Sequence, residues 1–84
     1  MIYSFHNTAW EDYVWFQKND KQSVKRINEL LKDISRNGYE GIGKPEPLKY
    51  VLQGWWSRRI TKEHRLVYRV KEDAIEVLML RYHY

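Results

Sequence analysis

Apolar residues recur with different periods in the two halves of the chain, and this change predicts helices first and strands afterwards. In the first half, one set of apolar residues recurs at spacings of three and four, which is typical of an amphipathic helix. These residues are Val24, Ile27, Leu30, Leu31 and Ile34. Asp20 precedes the set as a candidate N-cap, and Gly38 follows it as a candidate stop. The pattern therefore predicts a helix between Asp20 and Gly38.

A short strand and a first helix are predicted before Asp20. Residues 2–5 are typical of a short strand. Thr8 is followed three residues later by Glu11, which is the spacing of a capping box at a helix N-terminus. In the helix that follows, one stripe of residues is predicted to share a face. It consists of Trp10, Tyr13, Val14 and Gln17.

The segment after Gly38 interrupts both periods and predicts an ordered loop. Glycines and prolines recur in it at short intervals, which breaks periodic structure. They are Gly41, Gly43, Pro45 and Pro47. Glu46 lies between the two prolines. Because proline fixes its own φ and restricts the preceding residue, Glu46 is predicted to lie on unusually stiff backbone for a loop.

Strand-like runs separated by short polar turns fill the rest of the chain. They span residues 48–52, 55–61, 65–71 and 75 to the C-terminus. Short turns favour antiparallel neighbours, and the apolar run 75–80 predicts a strand that is buried on both faces. The predicted fold class is therefore α+β, in a single domain over residues 1–84. Two N-terminal helices pack on one face of a small, mostly antiparallel twisted sheet.

The composition excludes several classes of protein. The chain has 84 residues and no cysteine, which rules out a disulfide framework and a thiol nucleophile. Its start lacks the basic and apolar regions of a signal peptide, and no apolar run approaches the length of a membrane span. A hydrophobic content of 43% is too high for a disordered chain. These features predict a cytoplasmic domain without a membrane partner.

The positive charge is concentrated in one segment. Between Lys44 and Lys71 there are eight lysines and arginines against two acids, Glu46 and Glu63, which gives a net charge of +6. Aromatic residues are interleaved with these cations, as in many surfaces that bind nucleic acid. The segment fits a polyanionic partner, although a solvated surface accounts for its charge equally well.

Glu46 and His83 are the candidates for acid–base chemistry. A carboxylate is a base at neutral pH, and an imidazole can donate a proton near neutral pH. Such a pair fits RNA cleavage by the 2′-hydroxyl of the RNA itself, with arginines stabilising the charge on the phosphorane. This reaction needs no metal, and the histidines and acids show no metal-ligand spacing. On residues alone a nuclease is one of several functions, since Glu46 could simply balance Lys44 and Lys49.

Four sequence motifs, in their order and spacing, resemble one known family. They are GKPEPLK at 43–49, WSRRIT at 56–61, EHRLVY at 63–68 and the terminal RYHY at 81–84. The sequence is similar to the YoeB toxins, within the RelE-like toxins of bacterial type II toxin–antitoxin modules. The resemblance spans essentially the whole chain and is tightest in the central motifs and at the C-terminus.

The resemblance implies a metal-independent endoribonuclease without a cofactor. By the same resemblance, the protein would enter the A site of the ribosome, beside the rRNA, and cut the mRNA there. By matching position, Glu46 would be the general base and His83 the general acid. Arg65 would stabilise the transition state, and Tyr84 would orient the phosphate or stack on a base.

The same resemblance implies partners and further site residues. Lys49 and Arg59 match positions that contact the RNA backbone. The family partner is an antitoxin of the YefM type, whose acidic and largely disordered tail wraps the toxin. A homodimer stays open as a further assembly. Two alternatives remain: a non-enzymatic toxin of the same fold that binds a protein, as ParE-like toxins bind gyrase, or a plain RNA-binding module.

Overall fold

The computed structural model describes residues 1–83, which form two helices and a five-stranded sheet. The strands are β1 (Ile2–Phe5), β2 (Glu46–Pro47), β3 (Trp56–Arg59), β4 (Arg65–Lys71) and β5 (Ala74–Tyr82). The helices are α1 (Asn7–Asn19) and α2 (Lys21–Asn37), and a short 3-10 turn spans Tyr50–Leu52. Among residues 1–83, no helix has the length and apolar character that crossing a membrane requires.

The sheet has the order β1-β5-β4-β3-β2 and is antiparallel except at one edge. β1 pairs in parallel with β5, whereas the β5–β4, β4–β3 and β3–β2 pairs are antiparallel. The helices pack on one face, where buried residues of α1 and α2 meet Leu66 and Tyr68 of β4 and Val77 of β5. The predicted α+β fold, with two helices on one face of a mostly antiparallel sheet, is confirmed. The opposite face is called the outer face below.

Helix α2 forms as its pattern predicts. The Asp20 side chain accepts hydrogen bonds from the Ser23 backbone N–H (3.2 Å) and hydroxyl (2.6 Å), which satisfies a donor at the start of the helix. Gly38 ends the helix with φ of +65°, and its N–H donates to the Ile34 carbonyl at 2.8 Å. The predicted apolar face is buried, with Ile27 and Leu30 fully inaccessible.

The predicted capping box at Thr8 and Glu11 is wrong. Helix α1 begins at Asn7, and its N-cap residue, His6, makes no side-chain capping bond. The physical reason lies in the preceding strand. The His6 N–H donates to the Val77 carbonyl at 2.9 Å, so the chain leaves β1 and enters the helix without an intervening turn. Thr8 is consequently already inside the first turn of the helix.

The buried face of α1 is also not the predicted stripe. Ala9 and Phe16 are fully buried against the core, whereas Trp10 is 54% exposed. Aromatic and apolar residues occur on several sides of this helix, so their spacing alone does not select the inward face. Ala9 has a small side chain, which lets the helix backbone approach the sheet closely.

Residues 48–52 do not form the predicted strand. The Leu52 N–H donates to the Lys49 carbonyl at 3.2 Å, and the Gln53 N–H donates to the Tyr50 carbonyl at 3.0 Å, which makes a 3-10 turn. Tyr50 has φ of +59°, a left-handed conformation that a strand cannot accommodate. Glu46 is placed differently too, because it belongs to the short strand β2 instead of a loop.

The prediction that residues 75–80 are buried on both faces is wrong. Ile75, Val77 and Leu80 are buried, but the residues between them are partly exposed. Register shifts in the β4–β5 ladder place two residues between Val77 and Leu80. The strand therefore buries only the side that faces the helices, while its outer side is only partly covered.

A buried arginine joins the helices to the loop that leads into β2. Arg58 is fully buried, and its guanidinium donates to Asp33 Oδ2 at 2.5 Å and, through Nε, to the Tyr68 hydroxyl at 3.1 Å. It also donates to three loop carbonyls, those of Gly38, Glu40 and Ile42, at 2.8, 2.6 and 3.0 Å. This hydrogen bonding holds the pKa of Asp33 below its usual value. Arg58 is thus an internal support and not part of a basic surface.

Candidate active site

A cleft of about 600 Å³ opens on the outer face of the sheet. Leu66 and Arg58 point towards the helices, so their strand neighbours Arg65 and Arg59 point outward. The polar and aromatic residues that line the cleft are Glu46, Lys49, Tyr50, Arg59, Arg65 and Tyr82. Four of the six residues proposed as a site from the sequence therefore lie in one cleft, although they span 20 positions of the chain.

The sheet register brings these residues side by side. Arg65 of β4 is the pairing partner of Arg59 on β3 and of Tyr82 on β5. Glu46 of β2 pairs with Ser57, two residues before Arg59 on β3. Because residues two apart on a strand share a face, Glu46 lies on the same side of the sheet as Arg59 and Arg65. The cleft floor is thus built on strands, which hold side chains more firmly than loops do.

The central contact in the cleft is an ion pair between Glu46 and Arg65. Arg65 Nη1 donates to Glu46 Oε1 at 3.1 Å. The Arg65 side chain is 11% exposed, whereas Glu46 is 45% exposed. The carboxylate is therefore oriented by a largely buried guanidinium and stays accessible from the cleft. A base and a cation are thereby placed next to each other, as an anionic transition state requires.

His83 follows the cleft wall by one residue. Tyr82 lines the cleft, and the exposed His83 comes directly after it, at the end of β5. Arg81 and His83 do not line the cleft, and each contacts an aromatic ring beside it. The Arg81 guanidinium lies 3.8 Å from the centre of the Trp15 ring. The His83 ring packs edge-on against the His64 ring, with centroids 5.0 Å apart.

Helix α1 fixes the end of β5. Asp12 Oδ2 accepts hydrogen bonds from the backbone N–H groups of Leu80 (2.9 Å) and Arg81 (3.2 Å). Together with the Arg81–Trp15 contact, these bonds hold the last residues of the strand against α1. The backbone leading to His83 is therefore anchored two and three residues earlier, which limits the fraying that is usual at a terminus.

His64 is a buried histidine whose ring contacts that of His83. Its ring packs edge-on against Phe16, at 5.3 Å between centroids, and its Nδ1 has no hydrogen-bond partner within the part of the chain that the structure describes. Burial lowers the pKa of His64, and the charges of His83 and Arg81 lower it further. The carboxylates of Glu63 and Asp12 oppose this shift without cancelling it. The folded protein therefore disfavours protonation of His64.

The lowered pKa of His64 predicts a pH dependence of stability. The unfolded chain binds a proton on His64 below pH about 6.5, whereas the folded protein resists it. The free energy of unfolding should therefore fall as the pH drops below this value, until the folded state also binds the proton. Urea unfolding at pH 7.5 and 5.5 measures the effect. The variant His64→Phe keeps a ring and should show a smaller loss; an equal loss in both proteins would contradict the prediction.

The charge of the basic segment is partly neutralised inside the protein. Among residues 1–83, ion pairs join Arg58 to Asp33, Arg65 to Glu46, and Arg69 to Glu76. Lys49 and Arg59 are exposed and line the cleft. These two cations place positive charge beside Glu46, which favours an anionic ligand in the cleft.

Some candidate residues are not tested by the geometry, and others were missed. Tyr84 lies outside the described residues. Within residues 1–83, no three His, Cys, Asp or Glu side chains converge as a metal-binding group. Tyr50 was missed because its segment was predicted as a strand. Asp12 was missed because it acts through contacts with the distant strand β5, for which the sequence carries no local signal.

Comparison with known proteins agrees with the class that the fold and the cleft define, a small RelE-like toxin. A family model described as "YoeB-like toxin of bacterial type II toxin-antitoxin system" matches residues 5–84. The chain belongs to this family, as the four sequence motifs predict.

Relatives match over nearly their whole length. Toxin YoeB of Escherichia coli (strain K12) is 58% identical over 76 residues, which is 90% of each chain. A structure described as the YoeB dimer from Staphylococcus aureus superposes with a TM-score of 0.95 at 56% identity, over 100% of this chain and 98% of that one. A YoeB-YefM complex from the same organism gives a TM-score of 0.92 at 55% identity, with the same coverage.

Proposed function

We propose that the protein is an endoribonuclease that cleaves mRNA in the A site of the ribosome and thereby stops translation. The observation that carries this proposal is the Glu46–Arg65 pair, with 3.1 Å between carboxylate oxygen and guanidinium nitrogen, in a cleft that Lys49 and Arg59 also line. An accessible base beside cations is the arrangement that phosphodiester cleavage requires. Because its target would be the translating ribosome, the protein would act in the cytoplasm.

The proposed reaction is a transfer within the RNA itself. Glu46 removes the proton of a 2′-hydroxyl, and the resulting oxyanion attacks the adjacent phosphorus. The bond to the 5′ oxygen of the next nucleotide breaks, and His83 protonates that oxygen as it leaves. The products are a 2′,3′-cyclic phosphate and a 5′-hydroxyl. The protein side chains supply the proton transfers, so the proposed mechanism uses no metal.

The arginines of the cleft have different proposed roles. Arg65 is fixed by Glu46 and stabilises the negative charge that grows on the phosphorane oxygens. A guanidinium carries five N–H donors in a planar fork, so one side chain can serve a carboxylate and a phosphate together. Lys49 and Arg59 are exposed and hold the RNA backbone as point contacts. For Tyr84, the family resemblance supports contact with the phosphate or stacking on a base.

Replacing Arg65 should separate chemistry from binding. We expect Arg65→Ala to lower the single-turnover cleavage rate by about 10²-fold, the usual effect of removing one transition-state donor. Arg65→Lys should recover part of the rate, because it restores the charge without the planar fork. Arg69→Ala is the matched control, since Arg69 is a cation on the same strand whose partner is Glu76, outside the cleft. A loss of affinity at an unchanged single-turnover rate would exclude a transition-state role for Arg65.

The partner that we propose is a YefM-like antitoxin. The relative from Staphylococcus aureus is described as a complex with YefM. An acidic segment that folds on binding would meet Lys49 and Arg59 at the cleft and cover Glu46. Because a ligand of the folded state stabilises it by mass action, the complex should melt at a higher temperature than the toxin alone.

A homodimer is the second assembly that we propose, since a relative is described as a dimer. On this chain, an apolar groove of about 640 Å³ lies between α1, α2 and β1, and the half-exposed Trp10 lines it. Trp10→Ser should weaken dimerisation at least about 10-fold, as expected for an aromatic anchor. Sedimentation over a concentration series measures this. Ile42→Ser changes an exposed apolar residue outside the groove and should leave the dimer intact.

One experiment tests the central proposal. Messenger RNA is translated in a purified system with the protein, and new 5′ ends are mapped against the position of the ribosomal A site. We expect cuts within the A-site codon that leave 5′-hydroxyl ends. Inhibition of growth by Glu46→Gln at wild-type potency, without any new ends, would favour a toxin that acts by binding alone.

A further inference from the structure

A strained and almost fully exposed tyrosine stands at the rim of the cleft. Tyr50 is 88% exposed and has φ of +59°. Residues other than glycine, asparagine and aspartate rarely adopt this left-handed conformation, and a bulky side chain makes it unfavourable. Strain of this kind persists where the surroundings impose it, and it concentrates at functional sites. Packing does not explain an aromatic side chain that is exposed to water and carried on a strained backbone.

The turn that carries Tyr50 is firmly held. Leu48, two residues earlier, is buried, and its N–H donates to the Trp55 carbonyl at 2.8 Å. The Tyr50 carbonyl accepts from the Gln53 N–H at 3.0 Å, and the Trp55 N–H donates to the Leu52 carbonyl at 3.0 Å. These hydrogen bonds fix the backbone before and after Tyr50. The ring of Tyr50 is therefore presented from a fixed backbone and not from a loose loop.

The surroundings of Tyr50 suit one nucleotide of a single strand. Its ring lines the same cleft as Glu46 and follows directly after Lys49. Proteins that bind single strands combine a cation for the phosphate with an aromatic face for the base. Under the proposed mechanism, the reacting 2′-hydroxyl lies next to the Glu46 carboxylate. A base on a nucleotide next to the reacting phosphate would then lie within reach of the Tyr50 ring.

We propose that Tyr50 forms a nucleobase-stacking subsite that holds one base of the RNA beside the reacting 2′-hydroxyl. This inference rests on the proposed nuclease function and adds to it the positioning of a base. Stacking acts on any base, so the subsite fixes the RNA without selecting a sequence strongly. It explains why a tyrosine is kept in a conformation that asparagine or glycine would adopt with less strain.

Three variants separate stacking from structure. Tyr50→Phe keeps the ring, Tyr50→Asn removes the ring at a position where asparagine tolerates the backbone, and Val51→Ser changes a neighbour that is 96% exposed and outside the cleft lining. We expect Tyr50→Asn to lower kcat/KM on mRNA-programmed ribosomes by about 10-fold, as for one lost stacking contact. Tyr50→Phe and Val51→Ser should stay within about 2-fold of the wild type, because both retain the ring. The melting temperature of Tyr50→Asn should be equal or higher, which a merely structural loss would not give.

An abasic substrate identifies the base. Messenger RNAs with one abasic nucleotide at each position of the A-site codon are cleaved by the wild type and by Tyr50→Asn. At the stacked position, the losses in cleavage caused by removing the base and by removing the ring should not be additive, because each change abolishes the same contact. Additive losses at all three positions, or unchanged cleavage by Tyr50→Asn, would overturn the subsite. A variant that cleaves normally but escapes antitoxin neutralisation would also overturn it, since the ring would then belong to a protein contact.

Binding distinguishes this inference from the nuclease proposal. The affinity of each variant for mRNA-programmed ribosomes is measured alongside cleavage. If the wild type binds without cutting and Tyr50→Asn binds about 10-fold more weakly, the stacking subsite stands and the nuclease proposal fails. If the wild type cuts and the ring has no effect on either readout, the nuclease proposal stands and the subsite fails.

Discussion

Glu46→Gln and His83→Gln are each expected to slow mRNA cleavage by about 10²–10⁴-fold, the usual contribution of one general base or acid. Each amide keeps the approximate shape of the side chain and removes its ability to exchange the proton. The amide oxygen that Glu46→Gln introduces could still accept from Arg65, so the cleft should keep its geometry. His83 is exposed, so its replacement should barely change the melting temperature. Single-turnover cleavage and thermal unfolding measure the two effects separately.

The pH profile gives the assignment a second test. If His83 donates the proton to the leaving oxygen, His83→Gln should lose the fall in rate at alkaline pH, while Glu46→Gln should lose the fall at acidic pH. Glu29→Gln and His6→Gln are the controls, because Glu29 lies on α2 and His6 pairs with Glu76, both outside the cleft lining. Near-normal cleavage by either site variant would remove that residue from the mechanism.

The elements that the sequence predicted well are those with local determinants. Helix α2 has an apolar face at regular spacing, a capping Asp20 and a terminating Gly38, and all three act within a few residues. Strand β4 likewise occupies the predicted 65–71, because polar turns bound its run on both sides. Local propensity, patterning and capping agree in these segments, and such agreement is what specifies a structure.

The elements that failed depend on contacts between distant segments. The start of α1 follows from the bond between His6 and the Val77 carbonyl, 71 residues away in the chain. The segment after Leu48 is apolar enough for a strand, but a 3-10 turn forms because the chain must reverse between β2 and β3. The parallel pairing of β1 with β5 has no local signal either. Periodicity reports which residues are buried and not which segment lies next to them.

The residues of the candidate site could be predicted from the sequence, but their geometry and supporting contacts could not. The motif resemblance identified Glu46, Lys49, Arg59 and Arg65, and the sheet register brings them into one cleft. It did not identify their geometry, since the Glu46–Arg65 bond joins the edge strand β2 to the central strand β4. Nor did it find Asp12, which holds the strand leading to His83. Residue types can suggest a reaction, whereas the supports of a site become visible only in the folded protein.

The buried pair of Arg58 and Asp33 should be the most sensitive point of the scaffold. Asp33→Ala leaves a fully buried guanidinium without its carboxylate and removes the acceptor of the Ile42 N–H (3.1 Å). Breaking a buried pair costs about 3–5 kcal/mol, and the 19% exposure of Asp33 favours the lower end. Because small domains are stable by only about 5–15 kcal/mol, this is a large share of the total. Urea unfolding at pH 7 measures the loss.

Arg58→Met should destabilise the protein further, because it leaves the carbonyls of the loop after α2 without a donor. That loop leads directly into β2, so cleavage should fall even where Arg58→Met is still folded, through displacement of Glu46. Glu29→Ala is the control for stability. Glu29 is 63% exposed, and its ion pair with Arg26 is long, at 3.8 Å. Its loss should therefore change the free energy of unfolding by less than about 0.5 kcal/mol. If Asp33→Ala were as mild as this control, water would be screening the pair, and Arg58 would be held by the carbonyls alone.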